Sequence, residues 1–164
     1  LSLPAPGIIR SVRALHARTD TVWVGTSRGL MSLARDDSVA GDDAGWRRLV
    51  GSAAPVIGIG SVGDTLMAMT LDRIAWRDPF TGTWRSGVDI GSSLGRLVAF
   101  HATAHGAWVG GERGAVFVDA AGRPRHHLRI GDELPAPVTA ITSSEQYLWV
   151  GTQRGVVRLT LVPQ

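Results

Sequence analysis

The chain has 164 residues, enough for one domain with a core, and its lack of cysteine excludes disulfides, thiolate nucleophiles and zinc–thiolate sites. All 17 basic residues are Arg, set among 14 acidic ones for a formal net charge of +3. No concentrated basic stripe of the nucleic-acid-binding kind appears, and no run of about 18 apolar residues spans a membrane.

A motif recurs along the chain. Val22-Trp23-Val24-Gly25-Thr26-Ser27-Arg28-Gly29-Leu30 returns as Leu148-Trp149-Val150-Gly151-Thr152-Gln153-Arg154-Gly155-Val156, and more loosely as Ala107-Trp108-Val109-Gly110-Gly111-Glu112-Arg113-Gly114-Ala115. A degenerate copy, Leu66-Met67-Ala68-Met69-Thr70-Leu71-Asp72-Arg73-Ile74, fills the gap. The Trp-type positions 23, 67, 108 and 149 are 44, 41 and 41 residues apart, and a fixed period near 40 signals a repeat architecture.

Each Trp-type strand is preceded, always by 11 residues, by an apolar position that opens another strand: Val12, Val56, Leu97 and Val138. The spacing predicts first strands over 12–17, 56–61, 97–102 and 138–143, short, apolar and bounded by polar or Gly residues. After each Trp strand a tight turn holds Gly29, Gly114 or Gly155, where a hairpin needs positive φ. Third strands are predicted over 30–35, 74–78, 115–119 and 156–161. Fourth strands follow over 46–50, 84–88 and 125–130, the second of them after the Pro/Gly turn signal Asp78-Pro79-Phe80-Thr81-Gly82. Helical periodicity is absent. Four strands per repeat, with turns every 8–12 residues or so, predict an all-β fold of β-propeller type.

The pattern V-x-A-[IL], an 11-residue step, then L-W-V-G-T-x-x-G-[LV] resembles the two-component regulator propeller repeat. The first and fourth copies match it well, the third departs at Gly111, and the second has lost both Trp and Gly-Thr. The resemblance implies propeller blades of the kind found in extracytoplasmic sensors of bacterial hybrid histidine kinases. It is specific for fold and weak for function, because one fold hosts many activities.

The expected arrangement is a single β-propeller domain over 1–164, with four blades of about four antiparallel strands spanning 8–50, 51–90, 91–131 and 132–164. The last blade lacks a fourth strand, which residues 1–4 would supply; Leu3-Pro-Ala-Pro6 echoes Leu134-Pro-Ala-Pro137. A fragment of a larger ring and a two-chain eight-bladed ring are the alternatives.

Arg28, Arg113 and Arg154 share one position in the turn after the Trp strand, and Asp72 with Arg73 beside it fills that place in the second blade. Turns of this type emerge on one face of a propeller, where guanidiniums suit carboxylates, phosphates or acidic glycans. Polar turn residues in an Arg-only protein are often Arg, which is the competing reading. Trp46 and Trp84, on outer strands, are candidate rim aromatics for a protein interface, although packing also explains them and Trp76. Trp23, Trp108 and Trp149 are expected to pack between adjacent blades. His16 and His101 share a first-strand position without a carboxylate beside them, so a polar residue at a strand end explains them better than a metal site. His126-His127 alternates across a strand and cannot readily share one ion. Asp36-Asp37 and Asp42-Asp43 lack calcium-loop spacing and read as a solvated loop.

No nucleophile elbow or paired-carboxylate set stands out, so catalytic residues, metal ligands and cofactors are all expected to be absent. The expected function is a non-catalytic protein-binding propeller, a structural and extrinsic subunit of a larger membrane-associated bacterial complex such as a respiratory or photosynthetic one. Its expected partners are other protein subunits, and its location is periplasmic or peripheral on the extracytoplasmic face. An extracytoplasmic ligand-sensing propeller of a two-component receptor is the first alternative, and a glycan-active propeller enzyme the weaker one.

Overall fold

The computed structural model describes residues 11–34, 46–48 and 54–161; the side chains of 46–48 and of Ser86 are outside the description. Residues 1–4, proposed above to close the last blade, and the Asp36-Asp37 and Asp42-Asp43 pairs also lie outside the described residues.

Four antiparallel sheets follow one another in chain order, each a meander of neighbouring strands. The first holds β1 (Val12–Arg18), β2 (Thr21–Thr26), β3 (Gly29–Ala34) and β4 (Trp46–Arg48). The second holds β5 (Gly58–Val62), β6 (Thr65–Met69), β7 (Arg73–Arg77) and β8 (Trp84–Asp89). A single helical turn, α1 (Gly91–Leu94), leads into β9 (Leu97–Ala102), β10 (Gly106–Gly111), β11 (Gly114–Asp119) and β12 (Pro124–Arg129). The last sheet has β13 (Val138–Ser143), β14 (Tyr147–Thr152) and β15 (Gly155–Thr160), three strands among the described residues. The strands coincide with those expected to within two residues. α1 was not anticipated, since four residues are too few to show a helical period.

The chain divides into two compact units, residues 1–59 and 60–164, each described by itself. In the first unit Trp23 is 6% and Val24 2% exposed, so the central strand β2 is covered on both faces. Gly25 is glycine for a steric reason: a Cβ there would lie 2.7 Å from the Val56 carbonyl oxygen and 2.9 Å from Val56 Cγ1. The Val56 N–H donates to Thr26 O at 3.0 Å, so the chain entering β5 is held against the end of β2.

The second unit repeats the device. Gly110 on β10 faces β13, where an added Cβ would overlap Val138 Cγ1 and lie 2.9 Å from Ile141 Cδ1. Trp108, Ala115, Leu134, Val138, Ile141, Leu148 and Val150 form the core cluster at this junction. The register explains the first half of the motif as well. Val12 pairs with Thr26 but Ala14 with Gly25; Leu97 pairs with Gly111 but Ala99 with Gly110; Val138 pairs with Thr152 but Ala140 with Gly151. One extra residue therefore sits at Arg13, Val98 and Thr139, a β-bulge at the same place each time. The bulge sets Ala opposite Gly, the small-on-small pair that lets the following strand approach.

Candidate interaction surface

In three of the four sheets the turn between the second and third strands is built around a threonine. Thr26 Oγ1 donates to Gly29 O at 2.8 Å and accepts the Arg28 N–H at 3.0 Å. Thr152 Oγ1 does the same with Gly155 O at 2.9 Å and the Arg154 N–H at 3.2 Å. Thr70 keeps this role where the motif is degenerate, donating to Arg73 O at 3.2 Å and to Asp72 Oδ1 at 2.8 Å. All three threonines are buried, and their hydroxyls are satisfied locally, so the side chain after each is presented on a fixed backbone.

Gly111 stands in the fourth such place because α1 occupies the room. A Cβ there would be 2.7 Å from Leu94 O and 3.0 Å from Arg96 O, both backbone atoms. The turn is tied to those carbonyls instead, by the Glu112 N–H to Arg96 O at 3.2 Å and the Arg113 N–H to Leu94 O at 2.9 Å.

The four arginine positions are not alike. Arg113 donates through Nη2 to Gly91 O at 3.2 Å and Ser92 O at 2.9 Å, so its guanidinium caps the carbonyls of α1. Arg73 lies 3.3 Å from Asp72 Oδ2, in a pair about half exposed on each side, of a kind that contributes little to stability. Arg28 is exposed on the first unit's turn. Arg154 is exposed beside Gln153, whose N–H donates to Pro137 O at 3.1 Å. The helical turn brings two of the sites together: the Gly91 N–H donates to Asp72 O at 2.7 Å while Arg113 grips the Gly91 carbonyl. Asp72 and Arg113 thus border one another through α1.

Trp84 opens β8 opposite Arg77, whereas Arg73 pairs with Asp89 at the other end of the same ladder. The rim aromatic and the arginine turn therefore occupy opposite ends of the second sheet. Trp84 is half-buried with its indole nitrogen sealed from solvent. Trp76 packs on the third sheet, where a Cβ on Gly122 would meet its ring at 2.6 Å. The Trp46 strand is described, but its side chain is not.

At the far ends of two sheets a carboxylate fixes the turn, once in the predicted Asp78–Gly82 turn and once at Asp119, which the sequence reading did not single out. Asp78 accepts the Phe80 and Thr81 N–H groups at 3.0 Å each and pairs with Arg85 at 2.9 Å. Asp119 accepts the Ala121 and Arg123 N–H groups at 3.0 and 2.8 Å and pairs with Arg125 at 2.9 Å. Both carboxylates stand 11 residues after the Trp-type position, so this turn is a repeat element too. The Thr81 and Phe80 N–H groups hold Asp78 below its ordinary 3.8. At Asp119 burial pushes the carboxyl up, but the Arg123 N–H, the Arg125 guanidinium and the Ala121 N–H outweigh it and leave it below 3.8. The turn fixed by Asp78 carries Phe80, which is 97% exposed.

His16 and His101 sit cross-strand from Trp23 and Trp108. Burial, aided at His16 by the Arg18 charge, lowers His16 below 6.5, and burial alone lowers His101. No group of three or more His, Asp or Glu able to hold a metal ion occurs among the described residues. Trp149 departs from expectation. It is 39% exposed where Trp23 and Trp108 are 6% and 5%.

The chain matches no family model, and no curated protein matches it. Solved structures do match. The computationally designed Ika4 protein aligns with a TM-score of 0.72 at 14% identity, over 98% of this chain and 96% of that one. The extracellular domain of the putative hybrid two-component system BT4673 from B. thetaiotaomicron aligns at 0.69 and 16% identity, over 94% of this chain but only 21% of that one. The Cps50 (Swd1) β-propeller domain of Myceliophteria thermophila aligns at 0.67 and 15% identity, over 93% of this chain and 53% of that one. With four antiparallel meander sheets on the page, these likenesses make the fold a β-propeller. The sheets are its blades. No helix among the described residues is long and apolar enough to cross a membrane.

Proposed function

We propose that the chain is a non-catalytic, protein-binding β-propeller, an extrinsic structural subunit of a larger membrane-associated bacterial complex of the respiratory or photosynthetic kind, on its extracytoplasmic face. The observation that carries this reading is Phe80. A fully solvated aromatic side chain costs free energy unless something covers it, and Asp78 fixes the backbone beneath it through two N–H bonds. Trp84 is half-buried four residues on, and Arg28 and Arg154 supply charge at other turns. Rigid presentation of an aromatic anchor lowers the ordering cost of association.

Native purification from the source organism, with mass spectrometry of co-migrating proteins, tests the reading. Co-migration with a membrane complex, reduced at least about tenfold by Phe80→Ser, is the expected result. Replacing Arg28 and Arg154 with Ala should weaken docking and flatten its salt dependence. Recovery alone, with or without Phe80, overturns the proposal. The likeness to the extracellular domain of a hybrid two-component system favours a second reading, a ligand-sensing propeller of a signalling receptor with the repeat family named above. Recovery as part of a longer polypeptide with a kinase segment would move the reading there.

A further inference from the structure

We infer that the Phe80 turn docks into an apolar socket on a partner protein, and that carboxylates rim the socket, facing the Arg85 and Arg123 guanidiniums. The inference rests on the docking role proposed above for Phe80 and adds the chemistry of what receives it. The tip of the turn between β7 and β8 is apolar and convex, with Pro79 exposed and Phe80 97% exposed. Below the tip the polar groups bond to one another. The Asp78 N–H donates to Thr83 O at 2.8 Å, the Gly82 N–H donates to Asp78 O at 2.9 Å, and the Thr81 and Thr83 hydroxyls lie 2.7 Å apart. With the Asp78 carboxylate on the Phe80 and Thr81 N–H groups, the knob keeps one shape. A rigid knob is complementary to a cavity rather than to a flat face.

A second turn lies beside it in the same compact unit. Trp76 stands cross-strand from Arg85 and packs on Gly122, so the Asp119 turn adjoins the sheet that carries Phe80. Residues 77–85 and 119–125 together hold Arg77, Arg85, Arg123 and Arg125 against Asp78 and Asp119. The two signs are also presented differently. The Asp78 and Asp119 side chains are 16% and 22% exposed, drawn onto the N–H groups of their own turns, whereas their partners Arg85 and Arg125 are 62% and 51% exposed. Arg85 reaches Asp78 through Nη2, one edge of its fork of donors, and the exposed Arg123 guanidinium makes no hydrogen bond among the described residues. A partner therefore meets positive charge around the apolar tip, which carboxylates complement. A bilayer fits less well, because one aromatic ring with a few guanidiniums anchors only marginally there, whereas an enclosed aromatic anchor is what a protein hot spot uses.

The test adds the purified full chain to washed membranes of the source organism. Phe80→p-benzoylphenylalanine, a photoreactive ring in place of the natural one, should cross-link to a protein, and mass spectrometry should place the link in an apolar stretch with Asp or Glu beside it. The chain has no Lys, so Arg123→Lys supplies a single amine side chain, which a carbodiimide should join to a carboxylate of the same partner. Arg123→Glu should weaken retention of that partner at least about threefold at low salt, with the gap closing by about 0.5 M salt. Both variants keep the backbone N–H that holds Asp119, so their melting curves should match that of the natural sequence. A partner captured at position 80 but not joined to the Arg123→Lys amine, or retained equally by Arg123→Glu, overturns the carboxylate-rimmed socket and leaves the docking role of Phe80 standing. No protein cross-link at position 80, or flotation with phosphatidylglycerol vesicles that Phe80→Ser abolishes, overturns both.

Discussion

Gly110→Ala isolates the steric demand at the heart of the repeat. A Cβ at position 110 overlaps Val138 Cγ1 and lies 2.9 Å from Ile141 Cδ1, whereas apolar carbons settle at about 3.5–4.0 Å. Val138 would have to retreat by about 1 Å, into a cluster where Leu134, Leu148 and Val150 are at most 1% exposed. Overpacking a filled core costs about 1–3 kcal/mol. For a chain of this length that lowers the melting temperature by about 2–12 °C. Urea unfolding followed by Trp fluorescence and calorimetry gives the value directly. Val138→Ala, which removes the colliding methyl, should rescue part of the loss, so that the double variant is less destabilised than the sum of the singles by about 0.5 kcal/mol or more. A loss below about 0.5 kcal/mol, or strict additivity, refutes the account of why the motif requires glycine here.

Two further outcomes follow from the same structure. Gly111→Thr, which restores the residue the other repeats carry, should destabilise by about 1–3 kcal/mol, because the new side chain collides with the Leu94 and Arg96 carbonyls; a gain in melting temperature would contradict this. Stability should also fall as the solution is acidified. His16 and His101 are held below 6.5, so the unfolded chain binds the proton first, and their contribution is whole above 6.5 and lost as pH drops through their folded values. Asp78 and Asp119 are held below 3.8, so theirs is whole above 3.8 and lost below it. Melting temperature from about pH 8 down to pH 3 should decline in two stages, and a rise between about pH 7 and pH 5 would contradict the histidine assignment.

Strand positions were legible because the repeat encodes them twice, once in apolar patterning and once in the 11-residue offset. That offset stays constant because the bulge at Arg13, Val98 and Thr139 recurs, so the strand pairs keep one register. The arginine turns were legible as positions but not as environments. Arg113 looks like Arg28 and Arg154 in sequence, yet its guanidinium is taken up by Gly91 and Ser92, residues of a helical turn that recurs in no other repeat among the described residues. The same insertion accounts for Gly111. The Asp78 turn was legible from its Pro and Gly, whereas the Asp119 turn, at the same 11-residue offset, has no Pro between Asp119 and Gly122 to mark it.

Trp149 carries a different lesson. Its motif is nearly identical to that around Trp23, so composition alone assigns it the same packing, yet the two differ more than sixfold in exposure. The motif specifies a face and says nothing of what covers it, since the covering strand comes from the next repeat.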